Sequence, residues 1–163
     1  MKNIEFTTNL EKEDVSRECM NKIPLKYFKT NNQIRMINKL YLGMNEEIKY
    51  EKEFIREIEK KIASYKAQDI NKNKYLDNNI NREQTIEKLV ASKLCCYYCK
   101  CKLRIFYNIA RDPQQWTLDR VDNDLPHEND NVIISCLKCN LQRRKLDKEK
   151  FLFTKQLKIV KES

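Results

Sequence analysis

Two stretches decide how this chain folds. The first is Cys96-Tyr97-Tyr98-Cys99. The second is Trp116-Thr-Leu-Asp-Arg-Val-Asp-Asn-Asp-Leu-Pro-His-Glu-Asn-Asp-Asn-Val-Ile-Ile-Ser-Cys136-Leu-Lys-Cys139-Asn140. Each carries a C-x-x-C pair, and 36 residues lie between the pairs. Two intervening residues let both thiolates of a pair face one ion. Two such pairs complete a tetrahedron around Zn²⁺, with Zn–S of ~2.3 Å. The spacing therefore predicts one structural zinc held by Cys96, Cys99, Cys136 and Cys139. Such a closed site leaves no position for water, so this ion holds a small module together and does no chemistry. Cys95 and Cys101 flank the first pair at spacings that suit a knuckle less well. Cys19 stands alone and reads as a small apolar residue.

Between the pairs, Trp116-Thr117-Leu118 and Asn131-Val-Ile-Ile-Ser135 are β-prone, and the polar run Asp122–Asp130 separates them as a loop. Leu137–Arg144 reads as a helix. Upstream, apolar spacing predicts a short helix near 31–42, ending at the only glycine, Gly43. A clearer helix follows over 45–66. Asn45 is its N-cap, Glu46 and Glu47 lie in its first turn, and Ile48, Phe54, Ile55, Ile58 and Ile62 form one stripe. That stripe either packs inside its own protein or makes a short coiled-coil dimer. Ala67–Asn81 reads as a polar linker, and a helix over 82–94 follows with Ile86, Leu89, Val90 and Leu94 on one face. The organisation predicted is α+β: a helical region over 1–85, serving oligomerisation or docking, then a zinc-stapled module over 86–163.

The chain has 163 residues with one glycine and three prolines, too few turn formers for a sandwich or a doubly wound sheet. The formal charge is +9. Residues 91–163 contribute +6 of it (15 basic, 9 acidic) and residues 1–90 the other +3 (18 basic, 15 acidic). A basic module predicts a polyanionic partner, most simply nucleic acid. No secretory signal and no membrane-length apolar run is expected, which places the seven cysteines in a reducing, intracellular compartment.

Asp119-Arg120-Val121-Asp122-Asn123, then Asn131-Val132, then Cys136-x-x-Cys139-Asn140-x-x-Arg143 resemble the HNH (ββα-metal, His-Me finger) endonucleases. The likeness is strongest to a zinc-stapled subgroup, common in phages and large DNA viruses, that reads Asp-Arg-Ile-Asp-Asn where others read Asp-His. It covers about residues 94–146. The resemblance implies a ββα unit and a metal-dependent cleavage of DNA phosphodiester bonds. Asp119 and Asn140 would hold a catalytic Mg²⁺ or Mn²⁺, and Asn131 would orient the base. The family's base histidine is replaced by Arg120, which cannot accept a proton and would contact phosphate instead. His127, the single histidine, and Asp122 are the candidate replacements.

Arg143, Arg144 and Lys145 suit a helix C-terminus, and equally a phosphate backbone, with Tyr97, Tyr98 and Trp116 as neighbours. Three functions follow: an HNH-type endonuclease, a nucleic-acid-binding module that keeps this architecture without catalysis, and an assembly protein whose helices do the work. DNA is the expected partner, with a second copy or another protein on the N-terminal helices, and no membrane. Asp122, Asp124 and Glu128 lack the glycine of a calcium loop and are not read as one.

Overall fold

The computed structural model describes residues 14–44, 49–74 and 77–157. Among them the chain forms five α-helices and one two-stranded antiparallel sheet. Helix α1 spans Thr30–Tyr41, α2 Glu51–Asn71 and α3 Arg82–Ala91. Strands β1 (Trp116–Arg120) and β2 (Val132–Cys136) follow, then α4 (Leu137–Arg143) and α5 (Lys148–Gln156).

Helix α1 stops where predicted. Gly43 has φ +72, Met44 N–H donates to Lys39 O at 2.9 Å and Gly43 N–H to Leu40 O at 3.2 Å. These are the two bonds of a Schellman cap. Helix α3 ends in the same way, but without a glycine. Leu94 N–H donates to Leu89 O at 3.2 Å and Lys93 N–H to Val90 O at 2.9 Å, with φ +53 at Lys93 and +50 at Leu94. The helix is therefore shorter than the 82–94 predicted. Burial of the Leu94 side chain holds the strained turn in place. At the other end Asn81 and Gln84 form a reciprocal capping box.

Helix α2 departs from expectation at its far end. Residues 67–71, predicted as linker, are helical. A tertiary partner outweighs their weak propensity: Asp69 is fully buried and accepts bonds from the loop that follows β1. At the near end the predicted cap Asn45, with Glu46, Glu47 and Ile48, falls outside the described residues. Much of the apolar stripe is spent within the chain, with Ile55 half-buried. Phe54 and Ile58 are fully buried, and Ile62 packs partly against the same core. A dimer seam would leave these side chains open.

β1 and β2 pair from Trp116↔Cys136 to Arg120↔Val132. Their shared register carries Cys136 directly into the first turn of α4. One continuous core joins everything, from Met20 and Ile37 through Phe54, Leu89 and Phe106 to Trp116, Ile134 and Phe151. The boundary expected near residue 85 is thus crossed by packing, since α1 and α2 both contact α3.

The α3 cap yields a stability prediction. Lys93 is exposed and left-handed, a conformation natural to glycine. Lys93→Gly should stabilise the fold by about 0.5–1 kcal/mol, despite the freer unfolded chain. Thermal unfolding should shift upward by roughly 1–4 °C. A fall in the midpoint would contradict this cap.

Candidate metal centre and basic groove

The first C-x-x-C pair sits in a tight turn. Cys96 N–H donates to Cys101 O at 2.9 Å and Lys100 N–H donates to Cys96 O at 3.0 Å, with Lys100 at φ +61. Tyr97 N–H donates to Ile134 O at 3.0 Å, which fastens this turn to β2. The second pair stands at the start of α4, where Cys136 Sγ caps the helix by accepting from Cys139 N–H at 3.3 Å.

The four sulfurs Cys96, Cys99, Cys136 and Cys139 lie within 4.8 Å of one another, and Cys99–Cys136 is 3.9 Å. A regular tetrahedron with metal–sulfur bonds of ~2.3 Å needs sulfurs about 3.8 Å apart, so the cluster fits one ion. Cys99 is exposed and the other three are buried. A hydrogen bond from Cys136 holds the Cys96 thiol well below its ordinary range, at about 4, while the same bond and burial push Cys136 up. Burial raises Cys101 to about 12; it stands beside the cluster without joining it. Cys95 Sγ is instead within 3.3 Å of Lys102 Nζ. Cys19, expected to pack as a small apolar residue, is exposed.

The residues singled out for catalysis have other occupations. Asp119 is buried at 3% exposure. Its Oδ1 accepts from Arg143 Nη1 at 2.8 Å and its Oδ2 from Tyr98 Oη at 2.8 Å. Burial raises the Asp119 carboxyl pKa, opposed by these two partners. The carboxylate is thus held inside the module by a guanidinium and a phenol. Asn131 is a loop brace: its Oδ1 accepts from Asp122 N–H, and its Nδ2 donates to the carbonyls of Asp122 and Pro126, each at 2.9 Å. Asn140 Nδ2 donates to Thr117 Oγ1 at 3.1 Å.

His127, a candidate base, is 4% exposed. Its Nδ1 lies 2.9 Å from Asp69 Oδ1, and its backbone N–H donates to Asp69 Oδ2 at 2.8 Å. Its ring packs at 4.6 Å on Tyr65. Burial lowers its pKa in spite of the Asp69 partner, so the neutral ring donates from Nδ1. The pair ties α2 to the β1–β2 loop. Tyr98 and Trp116, expected beside nucleic acid, are buried, and Tyr97 is half-buried beneath Lys100 and Lys148.

Arg143 also changes role. It is 1% exposed and donates to Asp119, to the carbonyls of Arg120 and Val121, and through Nε to Leu146 O at 2.8 Å. Every arm is occupied, so it braces the module, and the exposed cations are others.

Those others line an open groove of about 830 Å³. Arg144 and Lys145 enter from the α4–α5 turn, Arg120 from β1, and Lys72 and Lys74 from the end of α2. Asn140 sits on its wall, and Asp122, Asp124 and Asp147 lie among the cations. Lys74 is hydrogen-bonded to Asn123 O, and Arg120 Nη1 donates to Leu125 O at 3.2 Å. The groove gathers Arg120, Asn140, Arg143, Arg144 and Lys145 from the expected site, with the candidate base Asp122, while Asp119, Asn131 and His127 are not in its lining. Lys72, Lys74 and Asp69 escape a reading of the sequence because their polar, Asn-rich surroundings look like linker.

The buried pair gives a direct test. Asp119→Ala leaves the Arg143 charge buried without its carboxylate and should cost about 3–5 kcal/mol in chemical denaturation. Combined with Arg143→Met, the cycle should show a coupling of about 1–3 kcal/mol. If Asp119→Ala is as stable as the parent, the carboxylate is free for another role. Comparison of the chain with models of protein families, with curated proteins and with solved structures returned no match.

Proposed function

We propose that this chain is a zinc-stapled nucleic-acid-binding protein built on an HNH-like module. The observation that carries this reading is the groove into which Lys72, Lys74, Arg120, Arg144 and Lys145 converge. Cations brought from three separate elements to one concave surface match a phosphate backbone better than scattered solubilising charge would. The four-thiolate donor set favours zinc over a hard cation, because soft sulfur ligands in a tetrahedron suit it. The ion's contribution is structural: it fixes the Cys96–Cys99 turn against the start of α4. The remaining side chains do the binding. Arg143 braces the groove from beneath, and Arg144 and Lys145 extend beyond it as exposed charges.

The HNH resemblance gives a second reading, phosphodiester hydrolysis, and one observation favours it: Asn140 reaches the groove wall. Against it stands Asp119, which is buried, pairs with Arg143 and Tyr98, and does not line the groove. An assembly role is disfavoured because Phe54 and Ile58 are consumed inside the chain.

Binding to a short DNA duplex, measured by fluorescence anisotropy across salt, should weaken steeply as salt rises. Replacing Lys72, Arg144 and Lys145 together with alanine should reduce the log–log slope by about 2–3, close to one for each phosphate no longer neutralised. An unchanged slope would contradict the groove assignment. Incubation of supercoiled plasmid with Mg²⁺ or Mn²⁺ should leave it intact. Nicking that disappears in Asn140→Ala while binding persists would move the assignment to the nuclease.

A further inference from the structure

Helix α1 lies outside the groove, in a segment that carries cations and no carboxylate. From Cys19 to Met44 there are five cations, Lys22, Lys26, Lys29, Arg35 and Lys39, and no carboxylate. The inner face of α1 is locked in place. Gln33 is fully buried; its Nε2 donates to the carbonyls of Phe28 and Phe106 at 3.1 Å, and its Oε1 accepts from the N–H groups of Ile105 and Phe106 at 2.7 and 3.0 Å. Met36 and Ile37 pack beside it. A glutamine with all its groups satisfied in the core fixes the helix's rotation, and so fixes what faces outward.

What faces outward is Asn31, Arg35 and Asn38. Steps of four and three place them on one stripe, and all three are exposed. Their side chains have no hydrogen bond or ion pair among the described residues. Asparagine is a poor helix former, by roughly 0.5–0.7 kcal/mol against alanine, and neither Asn31 nor Asn38 recovers that as a cap. Lys26 and Lys49 flank the stripe; they border a small recess with Tyr27, Asn32 and Arg35. A helix of twelve residues is about 18 Å long and fits the major groove of duplex DNA, about 12 Å wide. Asn pairs with the adenine edge there and Arg with the guanine edge, while lysines at the margins meet phosphates.

We infer that α1 is a sequence-reading helix that enters the major groove of duplex DNA, presenting Asn31, Arg35 and Asn38 to base edges. The inference rests on the nucleic-acid reading of the basic groove and adds specificity to its general hold on the backbone. The basic groove supplies contacts to any sequence; α1 selects among sequences.

The test is repeated selection of a randomised 20-base-pair duplex library by the full-length protein, followed by affinity measurements on the selected duplex. A short enriched motif is expected. Arg35→Ala and Asn38→Ala should each lower affinity for it by roughly 5- to 150-fold, with little change on random duplex. Arg35→Lys keeps the charge but loses the paired donors, and should lose discrimination at one guanine with the salt slope unchanged. These are surface positions, and unaltered thermal midpoints will confirm intact folding. Binding of duplex with no enriched motif, or a motif untouched by the three substitutions, overturns the inference and leaves the groove reading standing. Equal losses on polyglutamate and on DNA overturn it too, since α1 would then be a general anion surface. Failure to bind any duplex at low salt overturns both readings.

Discussion

Four sulfur atoms must meet at one point, and most of the module follows from that requirement. Cys96 and Cys99 come from a turn after α3, and Cys136 and Cys139 from the junction of β2 and α4. Bringing them within 4.8 Å pins the turn to the end of the hairpin. It also sets where α4 starts and so where Arg143 and the α4–α5 turn arrive. Four sulfurs at this spacing suit one bound cation, and metal-binding free energy would then be folding free energy.

The second constraint is the buried pair of Asp119 and Arg143. Arg143 reaches from α4 to Asp119 and the Arg120 carbonyl of β1, to the Val121 carbonyl of the following loop and to Leu146 in the α4–α5 turn, while Tyr98 reaches from the cysteine turn to the same carboxylate. Five segments of the module therefore meet at one ion pair. The Asp69–His127 pair repeats the device one layer out, tying α2 to the loop over a sequence separation of 58 residues. Two braces of this kind explain why a polar loop, Asp122 to Asp130, holds one shape. They also leave the unbraced cations, Arg144, Lys145 and Lys72, facing solvent in the groove.

Much of the architecture was legible from local signals. Knuckle spacing marked the cysteine cluster, β-prone runs on either side of a polar loop marked the hairpin, and Gly43 marked the end of α1. Signals that depend on distant partners were not legible. Arg143 follows Cys139 at helical spacing and reads as an exposed terminal cation until Asp119 is seen beneath it. Asp119 reads as an active-site acid for the same reason. His127 reads as solvated because nothing near it in sequence announces Asp69. Lys72 and Lys74 lie in a polar run whose helical start is decided by burial of Asp69, and propensity carries no trace of that.

Whether one metal ion organises the module is decided by native mass spectrometry of the full chain, compared with the same sample unfolded in acid. A single species carrying one zinc is expected, with a mass increase that reflects protons displaced from the cysteine thiols, and loss of that zinc on unfolding. A compact, metal-free chain with intact tertiary signals and four free, alkylatable thiols at Cys96, Cys99, Cys136 and Cys139 would contradict it.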